Sequence, residues 1–520
     1  MPKDTKALRG KTFLAICSFL FVLSYLLFMT FHFRWRGDGG IALLGAQRIL
    51  RGELPYRDFF DFWMPGTFYL LAVLFRLFGQ NLMVIRCLIF FTIGGLFLLV
   101  FLIAKKLNNS RTAAFLSIIL FALPLPLFSY NHNWLGLLSA CLAAHLLINP
   151  PKPGPTSIYW LCIGLINGLV INFIQWQGAG LFITCLLLLL PSRENRPSKV
   201  RFLLSFLGGA AFFPLLWCLF FWSKGALTNL VKATIFFPLT NYHRGNLHLP
   251  CQIWMTTTLF YILLWINVLK ENPASNKALR PILLLGTTFH FLTLTSPTPG
   301  HTALSYAFTS PLSLYLFNSL RPYLFKSRYF PAPSFKALFL NSKFIKYTVG
   351  RILTILILFS FFARPTLNFI ARMNYIITKE NILLNTPKGS LMADSRWART
   401  VQTIEQYLYA KNIPQNTTSI YIGPWSPGLY FIFSLQNPTR YAHLGPEHYT
   451  RAVLQTIISD LEEKKVSTII FLPSETFAYQ NKPNLLTKYL ESNFKPVIYL
   501  KPQPQNPEPY PKDAIWERNN

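Results

Sequence analysis

Acidic residues are scarce in this chain of 520 residues. It holds 19 Asp and Glu against 49 Lys and Arg, and only 13% of its residues are charged. Hydrophobic residues make up 52% of the chain, and the mean hydropathy is +0.35. Soluble domains seldom combine so high an apolar fraction with so little charge. The composition therefore excludes an ordinary soluble globular protein.

Cysteine is also sparse, and its placement is informative. The seven cysteines all lie within or at the edge of apolar runs, at Cys17, Cys87, Cys141, Cys162, Cys185, Cys218 and Cys251. None lies in the polar C-terminal part, and no C-x-x-C pattern of a zinc site is present. We therefore expect neither a disulfide framework nor a cysteine metal centre.

Apolar runs recur along the first two thirds of the chain. Each has about 20 residues, the length that crosses a bilayer as a helix, and none shows the alternation typical of barrel strands. The first run follows four basic residues and lacks a small-residue cleavage site, which predicts a retained helix rather than a signal peptide. About eleven membrane helices are predicted, near 12–32, 84–104, 112–129, 134–149, 157–173, 178–191, 202–222, 252–270, 281–295, 302–320 and 347–363.

The net charge of +30 is spread over short loops between these runs. With a cytoplasmic N-terminus, the predicted inside segments hold 21 basic residues, whereas the outside loops at 130–133, 174–177, 223–251 and 296–301 hold three. Lys and Arg favour the cytoplasmic side, so this asymmetry supports the assumed orientation and explains the charge without a nucleic-acid partner. Eleven crossings place the C-terminus outside.

The first outside loop, about 33–83, departs from this rule. It carries six arginines, namely Arg34, Arg36, Arg48, Arg51, Arg57 and Arg76. Guanidinium groups suit phosphate, so we expect some of them to bind an anionic substrate group, with lipid headgroups as the alternative ligand. Within the loop, 41–50 predicts a short interfacial helix, and 68–79 predicts either a surface helix or a short span.

The composition changes after residue 363. Residues 364–520 mix polar and apolar positions and predict a soluble α/β domain, following a membrane module at 1–363. Apolar stripes predict helices over 394–410 and 450–465. Short runs rich in β-branched and aromatic residues predict strands at 419–423, 467–472, 496–500 and 514–518.

Asp38 is an uncommon acid at the exit of the first apolar run, among several arginines. A carboxylate at a membrane surface can accept a proton from an alcohol while guanidinium groups hold a phosphate. The alternative is a solvated loop residue without a catalytic role.

The segment DGGIALLGAQRILRGELPYRDFFDFWMPGTFYLLAVLFRLFGQNLMVIR, residues 38–86, resembles the first extracytoplasmic loop of the GT-C membrane glycosyltransferases. The similar members are bacterial relatives of protein O-mannosyltransferases and of the lipid A aminoarabinose transferase. They share an acid after the first helix, a PYRDF-like motif, and an Arg at the second helix. Residues 424–441 and the closing IWER resemble the C-terminal domain of the same proteins.

Two later segments resemble the family with changes. Gln175 matches a Lys-Gln pair, but Ile174 stands at the basic position. In SPTPGH, His301 is retained, whereas Ser296 and Thr298 replace an Arg and an Asp. These replacements concern the positions expected to contact the donor phosphate.

The resemblance implies an inverting transferase that moves a sugar from a polyprenyl phosphate to an acceptor hydroxyl on a glycan, lipid or protein. It places the enzyme in the bacterial inner membrane, with a cytoplasmic N-terminus and a periplasmic C-terminal domain. Asp38 is the expected general base, and Asp61 is the second candidate. The expected phosphate ligands are Arg57, Arg86, His301, His243 and Arg244. The expected structural residues of the loop are Tyr56, Asp58 and Pro65. The scheme requires no cofactor, although Asp38 and Asp61 together are compatible with a divalent ion.

Two other functions remain open. A transporter or flippase of lipid-linked intermediates would need ionisable groups at the bilayer midplane and often shows internal repeats, but the apolar runs carry few charges. A non-catalytic scaffold of envelope assembly is consistent with the replacements at Ile174 and Ser296.

Overall fold

The computed structural model describes residues 3–519 apart from gaps at 34, 125–129, 131, 153, 191–195, 243–248, 271–276, 326–362, 364, 415–417, 446–447, 476–483 and 501–512. The predicted membrane helix at 347–363 lies almost wholly outside the described residues. His243 and Arg244, two of the expected phosphate ligands, also lie outside them.

The N-terminal part is a helical bundle. Its helices are α1 (Lys3–Phe31), α2 (Asp38–Leu50), α3 (Gly66–Phe78), α4 (Leu82–Asn108), α5 (Arg111–Ala122), α6 (His132–Ile148), α7 (Ser157–Phe173), α8 (Gln175–Leu189), α9 (Arg196–Ser223), α10 (Leu227–Val231), α11 (Gln252–Lys270), α12 (Leu279–Leu292) and α13 (Pro299–Phe325). Two π-helical turns, Lys232–Phe236 and Pro238–Tyr242, follow α10.

In the described part of the chain, three helices are long and apolar enough to cross a membrane by length and composition: Leu82–Asn108, Arg196–Ser223 and Gln252–Leu269. Shorter apolar helices accompany them at Phe19–Phe31, Gly66–Phe78, Arg111–Ala122, His132–Ile148, Ser157–Phe173, Gln175–Leu189 and Leu279–Leu292. The helices thus lie where the apolar runs predict them, and the segment 68–79 is helical.

Side-chain caps and small residues explain several local features of the bundle. Asn81 accepts hydrogen bonds from the first backbone N–H groups of α4, and Ser110 caps α5 in the same way. Helices α7 and α9 approach so closely at Gly164 that a Cβ there would lie 2.2 Å from the Phe206 carbonyl oxygen. Small residues allow such backbone contact between membrane helices.

The loops predicted to lie outside meet at one end of the bundle. They contact one another and the first loop through three hydrogen bonds: Gln175 to Phe62, Gln177 to Asn133, and Cys251 to Pro297. At the other end, Arg280 donates to the Leu187 carbonyl oxygen. The Gln175 and Gln177 contacts bring the first loop together with residues 174–177, and residues 174–177 together with Asn133, at one end of the bundle.

Helix α2 corresponds to the predicted interfacial helix, but its environment differs from the prediction. Residues 39–48 are all buried. The C-terminal part of the chain, residues 364–520, is called the tail here. The helix packs on α3 and on a short helix of the tail, α16 (Gly428–Ile432), rather than along a lipid surface. Its apolar residues face protein because the tail covers the side that the sequence pattern assigned to lipid.

The tail contains two sheets. Strands β1 (Ile382–Thr386) and β2 (Gly389–Ala393) form a hairpin that the sequence patterns missed. Strands β3 (Tyr421–Gly423), β4 (Thr468–Phe471), β5 (Phe494–Tyr499) and β6 (Ala514–Arg518) form a four-stranded sheet in the order β3-β4-β6-β5. In this sheet β3 and β4 pair in parallel, whereas β6 pairs antiparallel with both β4 and β5. These four strands lie where they were predicted.

The helices of the tail complete this architecture. A helix at 365–379, here α14, leads into the hairpin. The remaining helices are α15 (Ser395–Ala410), which precedes α16, and α17 (Arg451–Glu463) and α18 (Leu485–Asn493), which follow it. Asp394 caps α15 by accepting from the Trp397 N–H at 2.8 Å. The largest buried apolar cluster runs without a break from the bundle into the tail. The described tail therefore packs directly on the bundle.

Candidate functional site

Asp38 is the first residue of α2, where its side chain is half buried. Gly37 precedes it with φ 58°, a left-handed conformation that glycine adopts without strain. The N-terminus of a helix carries a partial positive charge, so a carboxylate is favourable at this position. The predicted loop acid is thus held at the start of a buried helix.

The tail covers this turn. The indole Nε1 of Trp425 lies 3.3 Å from the position that a Cβ would occupy on Gly37. Three residues further along, a Cβ on Gly40 would lie 2.4 Å from the backbone nitrogen of Gly428. Backbone therefore touches backbone between α2 and α16, three residues after Trp425 in the chain.

Five aromatic and imidazole rings continue from Trp425 across the site. We call this set the ring wall, and it consists of Trp425, His443, His448, Phe237 and Phe62. Consecutive ring centroids are separated by 4.7, 5.1, 5.5 and 5.7 Å. The wall combines the tail, the π-helical segment after α10, and the first loop. It runs from the turn of Asp38 to the neighbourhood of Asp61.

Asp61 and Gln175 lie at the far end of the ring wall. Asp61 is 2% exposed and accepts a hydrogen bond from the Trp63 backbone N–H at 2.9 Å. The Gln175 amide donates to the carbonyl oxygens of Phe62 at 3.2 Å and Thr234 at 3.1 Å. Gln175, selected by the family resemblance, thus joins the first loop to the π-helical segment.

His301 occupies the same end of the bundle. Its Nδ1 is 3.0 Å from the hydroxyl oxygen of Thr298, one of the residues that replace the family pattern. The ring of His132 lies 4.1 Å from that of Trp63 and interacts electrostatically with His301. The predicted residue His301 is thus connected through His132 to the loop that carries Asp61.

Two arginines of the first loop, Arg48 and Arg51, contact the C-terminal part of the chain. Arg48 donates to the Thr439 carbonyl oxygen at 2.9 Å, and Arg51 donates to that of Leu435 at 3.3 Å. Both acceptors belong to the tail. These side chains therefore attach the tail to the loop, which supplies a structural reason for arginines that break the positive-inside pattern.

Arg86 and Arg36 are also bound within the protein. Arg86 donates to the Ser390 carbonyl oxygen at 2.5 Å and to that of Thr30 at 3.3 Å. Arg36 lies 3.7 Å from a carboxylate oxygen of Glu380 and 4.7 Å above the ring of Trp397. Arg86 therefore connects α1, α4 and β2, a contact that competes with the phosphate-binding role expected of it.

The PYRDF motif forms a compact turn. Arg57 and Asp58 form a two-point ion pair at 2.8 and 2.9 Å. The Arg57 hydrogen bond, together with the Leu54 backbone N–H, lowers the pKa of Asp58. Tyr56 is 1% exposed, has φ 69°, and donates its hydroxyl to the Trp63 carbonyl oxygen at 2.6 Å. Pro65 is the N-cap of α3.

The two histidines of the ring wall are held neutral. Burial lowers the pKa of His448 to about 3, and burial together with the neighbouring His448 lowers that of His443 well below its ordinary value. The Gly445 backbone N–H donates to His448 Nδ1 at 3.1 Å, which leaves the ring proton on Nε2. Sequence patterns did not select either histidine, although the resemblance of 424–441 pointed to this part of the tail.

Within the described residues, no three His, Cys, Asp or Glu side chains are grouped as metal ligands would be. All seven cysteines are unpaired.

Comparisons with known proteins identify the fold. No protein-family model and no curated protein matches the sequence. Among solved structures, ArnT from Cupriavidus metallidurans bound to undecaprenyl phosphate aligns with a TM-score of 0.51 and 11% identity, over 89% of this chain and 93% of that one. The apo form of the same protein gives 0.49 and 10% identity, over 89% and 94%. The archaeal oligosaccharyltransferase AglB from Archaeoglobus fulgidus, in complex with an inhibitory peptide and a dolichol-phosphate, gives 0.42 and 13% identity, over 87% and 69%.

The chain therefore has a GT-C type fold, and the resemblance inferred from the first loop is confirmed at the level of fold. Within this class, its fold aligns with that of ArnT over nearly the whole length of both chains. Identities this low establish the fold alone, so the reaction is argued from the site.

Proposed function

We propose that the protein is a glycosyltransferase that moves a sugar from a polyprenyl-phosphate donor to an acceptor hydroxyl at the outer face of the membrane. The observation that carries the proposal is the position of Asp38. It opens a helix directly after the first apolar helix, at the end of the bundle where the loops meet, and the preceding residue, Gly37, lies beside Trp425, the first ring of the ring wall. Ligand sites commonly combine such apolar walls with a few polar groups.

Asp38 acts as the general base in this scheme. It takes the proton of the acceptor hydroxyl as that oxygen attacks the anomeric carbon, the bond to the phosphate breaks, and the configuration inverts. The phosphate leaves with its negative charge and needs cationic groups more than an acid. Asp61 is the second candidate, but its burial and its bond to the Trp63 N–H favour a structural role.

Arg57 is the most suitable of the expected phosphate ligands. Its side chain is 48% exposed, and its partner Asp58 is adjacent to it. Exposed ion pairs contribute at most about 1 kcal/mol, so phosphate can compete for this guanidinium. Arg86 and His301 are weaker candidates because hydrogen bonds within the protein already engage their side chains. A divalent ion is not required by this chemistry.

The test is sugar transfer in proteoliposomes supplied with undecaprenyl-phosphate sugars and a panel of acceptors. Asp38→Asn keeps the size of the side chain and removes the base, so a loss of about 10²- to 10⁴-fold in rate is expected. Asp394→Asn is the matched control, because Asn also caps a helix well and α15 should keep its start. Wild-type rates in Asp38→Asn would contradict the assignment.

The same preparation separates the other two functions. Movement of the lipid-linked sugar across the bilayer without transfer would indicate a flippase. Neither transfer nor movement with any donor or acceptor would favour a scaffold.

A further inference from the structure

The part of the tail beside the N-terminus of α2 contains a large aromatic ring and buried polar atoms to which the proposed transfer reaction assigns no role. Trp425 is only half buried, although its neighbours on both sides are buried. Its ring meets that of His443 nearly edge to face, with centroids 4.7 Å apart and an interplanar angle of 86°. A large ring is thus kept partly accessible beside the proposed base.

Two buried polar atoms next to this ring have no hydrogen-bond partner among the described residues. They are the Ser426 hydroxyl, on a residue 2% exposed, and His443 Nδ1, on a residue 6% exposed. A buried polar atom without a partner costs about 1–3 kcal/mol. Native proteins satisfy most such atoms, so a retained pair beside an accessible ring indicates that a ligand supplies the partners.

We propose that Trp425, Ser426 and His443 form a carbohydrate-binding subsite, and that the acceptor is therefore the hydroxyl of a sugar. This inference rests on the proposed function and specifies its substrate class. The Trp425 ring stacks on a sugar ring, while Ser426 Oγ and His443 Nδ1 bond to its hydroxyls. Neither atom is exposed to solvent in this structure. The proposal therefore requires the half-exposed Trp425 side chain to turn and admit the sugar.

The location favours the acceptor over the donor. The donor lipid lies in the bilayer, so its sugar reaches the site from the side of the helices. Trp425 belongs to the tail and lies beside Gly37, the residue before Asp38. A sugar bound at this ring would therefore approach Asp38 from the tail rather than from the helices. A sugar also matches the chemistry, since it offers an apolar ring face and several hydroxyls together.

The first test is direct binding. Saturation-transfer NMR with a panel of methyl hexosides and pentosides should show contact with the purified wild-type protein in detergent. The signals should be lost in Trp425→Ala and retained in Trp425→Phe. Trp222→Ala, at a position 69% exposed on α9, is the matched control and should bind as the wild type does. Undiminished binding in Trp425→Ala, or no binding by the wild type, would overturn the proposal.

Kinetics provide the second test and separate this proposal from the proposed function. With an oligosaccharide acceptor, Trp425→Ala should raise the acceptor KM at least 10-fold and leave the donor KM within about twofold. Ser426→Ala should also raise the acceptor KM. Thermal unfolding should show that each variant is folded. Transfer that is abolished in Asp38→Asn but prefers a peptide acceptor would refute the carbohydrate subsite alone. Absence of transfer to every acceptor would instead refute the proposed function.

Discussion

The contact between α2 and α16 makes a sharp prediction for Gly40→Ala. The added Cβ would lie 2.4 Å from Gly428 N, 2.8 Å from Gly428 Cα and 2.9 Å from the Trp35 carbonyl oxygen, whereas ordinary contact begins at 3.4 Å. All three are backbone atoms, which cannot turn aside as a flexible side chain would. The two elements must therefore separate by about 1 Å, and the expected loss of stability from overpacking is about 1–3 kcal/mol.

The same displacement should affect the reaction. Trp425 lies three residues before Gly428 and beside Gly37, the residue before Asp38. A misplacement of about 1 Å near a reacting group can reduce the rate about 10²-fold. We therefore expect Gly40→Ala to combine a modest loss of stability with a large loss of transfer.

The measurements are thermal unfolding in one detergent and transfer in proteoliposomes. Gly208→Ala is the matched control, because Gly208 also lies within a helix but a Cβ there meets nothing within 4 Å. That variant should be as stable as the wild type or more so, since Ala is favoured over Gly in helices by about 1 kcal/mol. If Gly40→Ala unfolded at the same temperature as Gly208→Ala and kept full activity, the inferred contact would be incorrect.

Two further predictions concern the attachment of the tail. The pKa of His448 is about 3 in the folded protein against 6.5 ordinarily, so the unfolded state alone takes up the proton as the pH falls below 6.5. Stability is then complete above pH 6.5 and declines toward pH 3, by about 2 kcal/mol at pH 5. Between pH 7.5 and 5, the melting temperature should fall less for His448→Gln than for the wild type. An equal fall in the two proteins would contradict this prediction. Arg48, 4% exposed, bonds to Glu53 and to the Thr439 carbonyl oxygen, so Arg48→Met should cost about 3 kcal/mol and make the tail more sensitive to protease. Arg57→Met, which breaks an exposed ion pair, is its control and should change stability much less than Arg48→Met does. Equal sensitivity of the two variants would argue against the attachment.

The tail shows how far local patterns reach. Its four sheet strands and the helices α15 and α17 were predictable, because short β-branched and aromatic runs indicate strands and an apolar stripe of period 3.6 indicates a helix. The hairpin of β1 and β2 was not, because its residues lack a clear alternation and are held partly by the Arg86 contact with Ser390. The order β3-β4-β6-β5 was also beyond prediction, since strand pairing joins residues far apart in sequence.

The arginines of the first loop show the limit of a rule based on charge. Their number indicated an unusual loop, and the expectation was an anionic ligand. The structure instead gives Arg48 and Arg51 backbone carbonyl oxygens of the tail as partners. A guanidinium recognises a carbonyl oxygen and a phosphate oxygen by the same donors, so sequence cannot distinguish the two without the fold.

The sequence alone determined the helical membrane class, the positions of the apolar helices, and Asp38 as the acid to consider. These follow from hydropathy, charge and a short motif, all of which are local. Tertiary structure alone decided that Asp38 begins a buried helix and that Gly40 meets Gly428. It also decided that Trp425 lies beside Gly37, because residues nearly 400 positions apart become neighbours only when the tail packs on the first loop.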